Sequence, residues 1–145
     1  MSDYFVPIGK ADAMVRPTAS PKTDLTLLHG TTLSRARQIE SDFAFRRVAG
    51  NDVWFVFRSN RDIAEFFARR RARQEGGQPA LLIAVVEDLV FQSLRTSGDA
   101  AYVPFDEADH ELLRGRRQWV VTSAGIEKLN ARWIDMSYEE LSKVT

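Results

Sequence analysis

Seven consecutive apolar residues, Ala80 to Val86, follow Pro79 and stop at Glu87. An uninterrupted run of this kind reads as a central strand covered on both faces, so layers of structure must flank it on either side. The rest of the 145-residue chain has the material for those layers. Hydrophobic residues make up 44%, with nine Phe and three Trp, enough for the core of one domain.

Strand and helix patterns alternate around that run. Residues 1–24 carry Pro7, Pro17, Pro21 and Gly9 with no period and read as an irregular lead-in, followed by a domain over 25–145. Leu25 to Leu28 is a short apolar strand ending at His29-Gly30. Thr31 or Thr32 caps a helix through about Glu40, with Leu33, Ala36 and Ile39 on its inner side. Asp52 to Phe57 is aromatic and β-branched and predicts a strand buried on both faces. Ser59 or Asn60 caps the next helix, which carries Ile63, Ala64, Phe66, Phe67 and Ala68 inward and runs to about Gln74, where Gly76-Gly77 stops it.

Later segments are shorter. Leu89–Leu94 predicts a turn or short helix, Tyr102–Phe105 a short strand, and Asp106–Leu113 a helical stretch. Gln118–Val121 reads as a strand, Ser123 as the cap of a helix to Asn130, Trp133–Met136 as an edge strand and Tyr138–Lys143 as a last helical turn. The strand spacing is too irregular for uniform βαβ units, which favours an α+β fold on a mixed sheet.

Composition removes several function classes. There is no Cys, so disulfides, zinc-thiolate sites and thiol nucleophiles are excluded. His110 stands among Asp109 and Glu111 without a partner His, short of a metal-ligand pattern, and neither a phosphate-binding loop nor a Rossmann fingerprint is present. The N-terminus has no secretory pattern, and no apolar run reaches the roughly 20 residues that span a bilayer, so a soluble cytoplasmic protein without a membrane partner is expected. Cations and acids balance at 20 each, although sixteen of the cations are Arg. The Arg69–Arg73 cluster and Arg114, Arg116 and Arg117 are either solvated surface or a basic face for nucleic acid.

The order of three blocks carries a resemblance. Leu27-Leu28-His29-Gly30-Thr31-Thr32, with Ala36 and Ile39 downstream, resembles the first motif of the diphtheria-toxin-like and poly(ADP-ribose)-polymerase-like branch of the ADP-ribosyltransferase superfamily. Trp54-Phe55-Val56-Phe57-Arg58-Ser59, leading into a helix with Ala64, is similar to its second block. Gln118-Trp119-Val120-Val121, followed by Ile126 to Asn130, is similar to its third. The matches span roughly residues 25–130.

That resemblance implies a split mixed β-sheet core with flanking helices, and NAD bent in a cleft as substrate. Gly30 would meet the nicotinamide amide with its backbone, His29 would reach the adenosine ribose, and Thr31 would help to hold the other ribose. An aromatic of the second block would stack on nicotinamide: Phe55 in one register, with Val56 at that place in another. Arg58 and Arg61, flanking the turn, could contact pyrophosphate. The family's third-block Glu is replaced by Gln118, which accepts a hydrogen bond but carries no charge. Glu107, Asp109 or Glu111 could supply the missing carboxylate. The implied function is NAD-dependent mono-ADP-ribosyl transfer to a protein or nucleic-acid acceptor. The alternatives are an inactive module binding NAD or ADP-ribose, or an interaction domain that has lost the cleft. On the residues alone, His29 ending a strand with Gly30-Thr31-Thr32 as turn and cap is a sufficient structural account.

Overall fold

The computed structural model describes residues 23–46, 52–105 and 110–143. Residues 1–22 of the proposed lead-in, together with Glu107 and Asp109, lie outside the described residues, while Asp24, placed in that lead-in, already belongs to the first strand. Six strands and four α-helices follow in the order β1 (Asp24–Thr32), α1 (Leu33–Asp42), β2 (Val53–Phe57), α2 (Arg61–Glu75), β3 (Pro79–Glu87), α3 (Asp88–Ser97), β4 (Ala100–Pro104), β5 (Arg117–Val121), α4 (Ser123–Asn130) and β6 (Asp135–Glu140). Short 3₁₀ turns at Arg58–Asn60 and Glu111–Leu113 precede α2 and β5.

The strands form one sheet in the order β4-β5-β2-β1-β3-β6, and every neighbouring pair is antiparallel. This is an α+β fold, and its ladders differ from the mixed set expected. The apolar run lies in β3, which is internal and paired with β1 and β6. On one side of the sheet Leu27, Phe55, Leu82, Val86, Trp119 and Val121 pack with Phe91, Leu94, Ile126 and Leu129 of α3 and α4. On the other, Leu28, Val56 and Leu81 pack with Ile63, Ala64 and Ala68 of α2 and with Leu113. Burial on both faces is why β3 reads as continuous apolar sequence.

The ladders are uneven, and that unevenness creates the site. β1 and β3 share nine register pairs, from Asp24↔Glu87 to Thr32↔Pro79. β1 and β2 share two, Leu27↔Phe57 and Leu28↔Val56. Beyond them the two halves of the sheet are joined by a side chain: His29 Nδ1 lies 2.8 Å from the carbonyl oxygen of Trp54.

Several local expectations change. β1 continues through His29-Gly30 to Thr32, because β3 offers a partner at every one of those positions. Thr32 then caps α1, its hydroxyl accepting from the Arg35 N–H. β2 is buried on both faces at Phe55 and Val56 but not along its whole length, since Trp54 is 43% exposed. Thr122, rather than Ser123, caps α4 through the Gly125 N–H. The predicted helical turn at Tyr138–Lys143 is instead strand in its first half: β6 runs to Glu140, pairing along the edge of β3, where ladder hydrogen bonds outweigh local tendency, and 141–143 are neither helix nor strand. Of the predicted helical stretch Asp106–Leu113, the described part holds the 3₁₀ turn alone.

α2 sets the depth of the cleft. Its Ala64, Ala68 and Ala72 recur every four residues, giving a smooth stripe of small side chains against the sheet. Gly30 faces that stripe. A Cβ on Gly30 would fall 2.1 Å from the Ala64 carbonyl oxygen and 2.8 Å from the Ala68 nitrogen. Helix backbone thus rests directly on strand backbone, and only glycine permits it. Gly76, at φ 78°, ends α2 with its N–H donating to the Ala72 carbonyl oxygen. No helix among the described residues is long and apolar enough to cross a membrane.

Candidate functional site

Two cavities open beside the seam between β1 and β2. One, of about 330 Å³, lies towards α2 and is lined by Gly30, Phe67, Arg70, Gln74 and Gln118 among others. The second, of about 540 Å³, lies towards α1 and is lined by Thr31, Arg35, Gln38, Phe45 and Asp52 among others. His29, Trp54 and Arg71 line both. His29 and Gly30 of β1 and Gln118 of β5 therefore line one cavity, and the second adjoins it at His29, Trp54 and Arg71.

His29 is the hinge of this arrangement. Its ring packs edge-on against Phe45, with centroids 5.5 Å apart, and at a tilt against Phe55 at 5.7 Å. A carbonyl oxygen only accepts, so the Nδ1 facing Trp54 carries the proton, which leaves Nε2 as the acceptor. Burial among the rings removes the hydration that a charged imidazole needs. The Trp54 carbonyl partly offsets this, and the positive field of Arg71 and Arg35 adds to the lowering. The pKa falls from 6.5 to about 4, so His29 is neutral near pH 7. One edge of the ring nevertheless meets the cavities, where it is partly exposed.

The other residues singled out from sequence divide clearly. Gln118 is 7% exposed and lines the smaller cavity. Thr31 is 1% exposed, lines the larger one, and its hydroxyl has no hydrogen-bond partner among the described residues. Phe55 also lines the smaller cavity but is 1% exposed, its ring packed in the core against His29, Phe45 and Trp133. Its neighbour Trp54, 43% exposed, presents the accessible ring at the cavity mouths. Strand alternation separates the two side chains, since the inward face of β2 belongs to Phe55.

Arg58 is exposed on the 3₁₀ turn and lines neither cavity. Arg61 is held by Glu65 and by both carboxylate oxygens of Glu139, which ties α2 to β6. Glu111 is exposed and lines neither cavity. No described residue lining the smaller cavity is a carboxylate. The Arg-rich stretches are largely committed to internal partners. Arg69 donates to Glu65 and to the Ser142 carbonyl oxygen, Arg70 lies over Phe66 and Phe67, and Arg116 grips Asp62 and Asn60. His110 caps the 3₁₀ turn through the Leu112 N–H and packs on Phe66.

Two contributors have weak sequence signals. Arg35 and Arg71 lie off the apolar stripes of their helices and read as solvated surface, although each helix turns its residue toward the seam. Asn130 fixes the wall of the larger cavity: its amide oxygen accepts from the Phe45 N–H and the Trp133 indole, and its nitrogen donates to the Phe45 carbonyl oxygen, each at 3.0 Å. A polar residue at the end of an amphipathic helix gives no hint of a partner 85 residues away.

No family model, curated protein or solved structure matches this chain.

Proposed function

We propose that the two-lobed cleft binds NAD, and that the chain is an NAD-dependent mono-ADP-ribosyltransferase-like protein acting on a protein or nucleic-acid acceptor. One observation carries the reading: His29-Gly30 and Gln118, from separate strands, line the same cavity, which meets a second one at His29 and Trp54. Their volumes, about 330 and 540 Å³, suit the two halves of a bent dinucleotide. Neutral His29, with Nε2 as acceptor, suits a ribose hydroxyl. Trp54 supplies a stacking face. In transfer, the bond between nicotinamide and ribose breaks, nicotinamide leaves with the electron pair, and the acceptor's nucleophile closes on the ribose carbon while losing its proton.

Gln118 favours a second reading, a module that binds NAD or ADP-ribose without turnover. Its amide can accept from the ribose but adds no negative charge against the developing cation. The two readings share the pocket and separate in kinetics. Calorimetric titration should detect NAD binding that His29→Ala weakens markedly, and an unchanged affinity would remove the assigned pocket. With labelled NAD and candidate acceptors, Gln118→Glu should raise turnover. If turnover does not rise, position 118 is not the place where the ribose cation develops.

A further inference from the structure

Arg35 projects from the first turn of α1 and Arg71 from the last turns of α2, and both line the larger cavity. Both meet the carboxylate of Glu75 through Nε, Arg35 at 3.0 Å on one oxygen and Arg71 at 3.7 Å on the other. Two cations therefore share one anion. A guanidinium has five N–H donors in a planar fork; Arg35 spends one of them on Glu75, and Arg71 stands beyond hydrogen-bond distance from it.

We propose that Arg35 and Arg71 form an anion site where the two cavities meet, that it takes the diphosphate of a dinucleotide, and that Glu75 competes with this ligand for both guanidiniums. The proposal rests on the reading of the cleft as a nucleotide site and adds the charged centre that reading lacks. Position supports it, because Arg71 and His29 line both lobes and the linkage between two nucleosides must cross there. The buried Thr31 hydroxyl, unpartnered among the described residues, lines the same wall. The field points the same way: both arginines act on the His29 imidazole as positive charge. Arg46, Asp42 and Asp52 also line the cavity, and Asp42 accepts from the Gln38 amide. The exchange is energetically easy. The side chains of Arg35, Arg71 and Glu75 are all more than 30% exposed, and exposed ion pairs are weak, whereas diphosphate oxygens satisfy two forks at once.

Calorimetry on the full chain with inorganic pyrophosphate and with NAD tests this. Arg35→Gln and Arg71→Gln should each weaken both ligands about tenfold. Glu75→Gln should tighten both, by up to about fivefold. If NAD binding responds to His29→Ala but to none of these three substitutions, the anion site is overturned and the cleft reading stands. If pyrophosphate binds through the two arginines while NAD does not bind, the anion site stands and the dinucleotide reading falls. Binding of neither ligand overturns both. Should a Gln variant fail to fold, Arg71→Lys decides. It keeps the charge and loses the fork, so weaker pyrophosphate binding supports the site and unchanged binding overturns it.

Discussion

Replacing His29 by Gln should abolish a specific part of the protein's pH dependence. In the folded chain the imidazole titrates at about 4 instead of 6.5, because the Phe45 and Phe55 rings desolvate it and two arginines repel its proton. The unfolded chain therefore binds a proton that the folded chain refuses throughout the interval between those values. Stability is unaffected by this group above about pH 7, declines as pH falls from there to about 4, and levels off below, where both states carry the proton. The interval between these two values corresponds to about 3 kcal/mol at full desolvation. The ring edge that reaches cavity water trims this, so a decline of between about 1 and 3 kcal/mol is expected. Asp62, Asp99 and Glu139 overlap only the acid end of the window. Their partners Arg116, Lys128 and Arg61 hold them below their ordinary values of 3.8, 3.8 and 4.5. Stability from those pairs is present above the ordinary values and is lost progressively as pH falls from there through the lower folded ones, equally in wild type and His29→Gln, so it cancels in the difference. Urea unfolding of wild type and His29→Gln at pH 8, 6, 5 and 4 would measure the difference, and NMR of the ring carbon would follow the titration directly. A difference that stays flat with pH, or an imidazole that titrates near 6.5 in the folded protein, would refute the desolvated, carbonyl-bound ring.

Two further substitutions probe the frame around the cleft. Gly30→Ala should cost about 3 kcal/mol or more, because the new methyl meets helix backbone rather than a movable side chain, and adding Ala64→Gly should give no rescue; a melting temperature within two degrees of wild type would contradict the contact. Asn130→Ala should destabilise by about 2–4 kcal/mol, since it strands the Phe45 peptide and the Trp133 indole, and should redshift the emission of Trp133. Unchanged emission and stability would show that the Phe45 wall is held by other means.

How far the sequence could be read depended on how local each cause was. The apolar run of β3, the glycine stop after α2 and the Thr cap of α1 were legible because their causes lie within a few residues. The last strand was not, because Tyr138 to Glu140 become strand only through the edge of β3, more than fifty positions earlier. The site divided on the same line. His29, Gly30 and Gln118 line one cavity. The aromatic register followed alternation along β2: Phe55 went to the core and Trp54 to the opening. Gly30 was expected to admit a ligand's close approach, and its missing Cβ proves to admit a helix. Arg58 and Glu111 lie close to the blocks in sequence, yet they sit on short turns and line neither cavity. Arg35 gave no signal and Arg71 none beyond its place in the Arg69–Arg73 cluster, since nothing along either helix distinguishes a cation over a cavity from one over water.

The early end of the β1–β2 ladder has a wider consequence. Where strand pairing stops, peptide groups that would have continued it become available to whatever enters the gap, and they do so regardless of which side chains the strands carry. Recognition by peptide groups survives extensive drift in the letters of the chain, provided that the gap keeps its width. In this molecule a glycine seated on a helix and one imidazole reaching across to a carbonyl maintain that width.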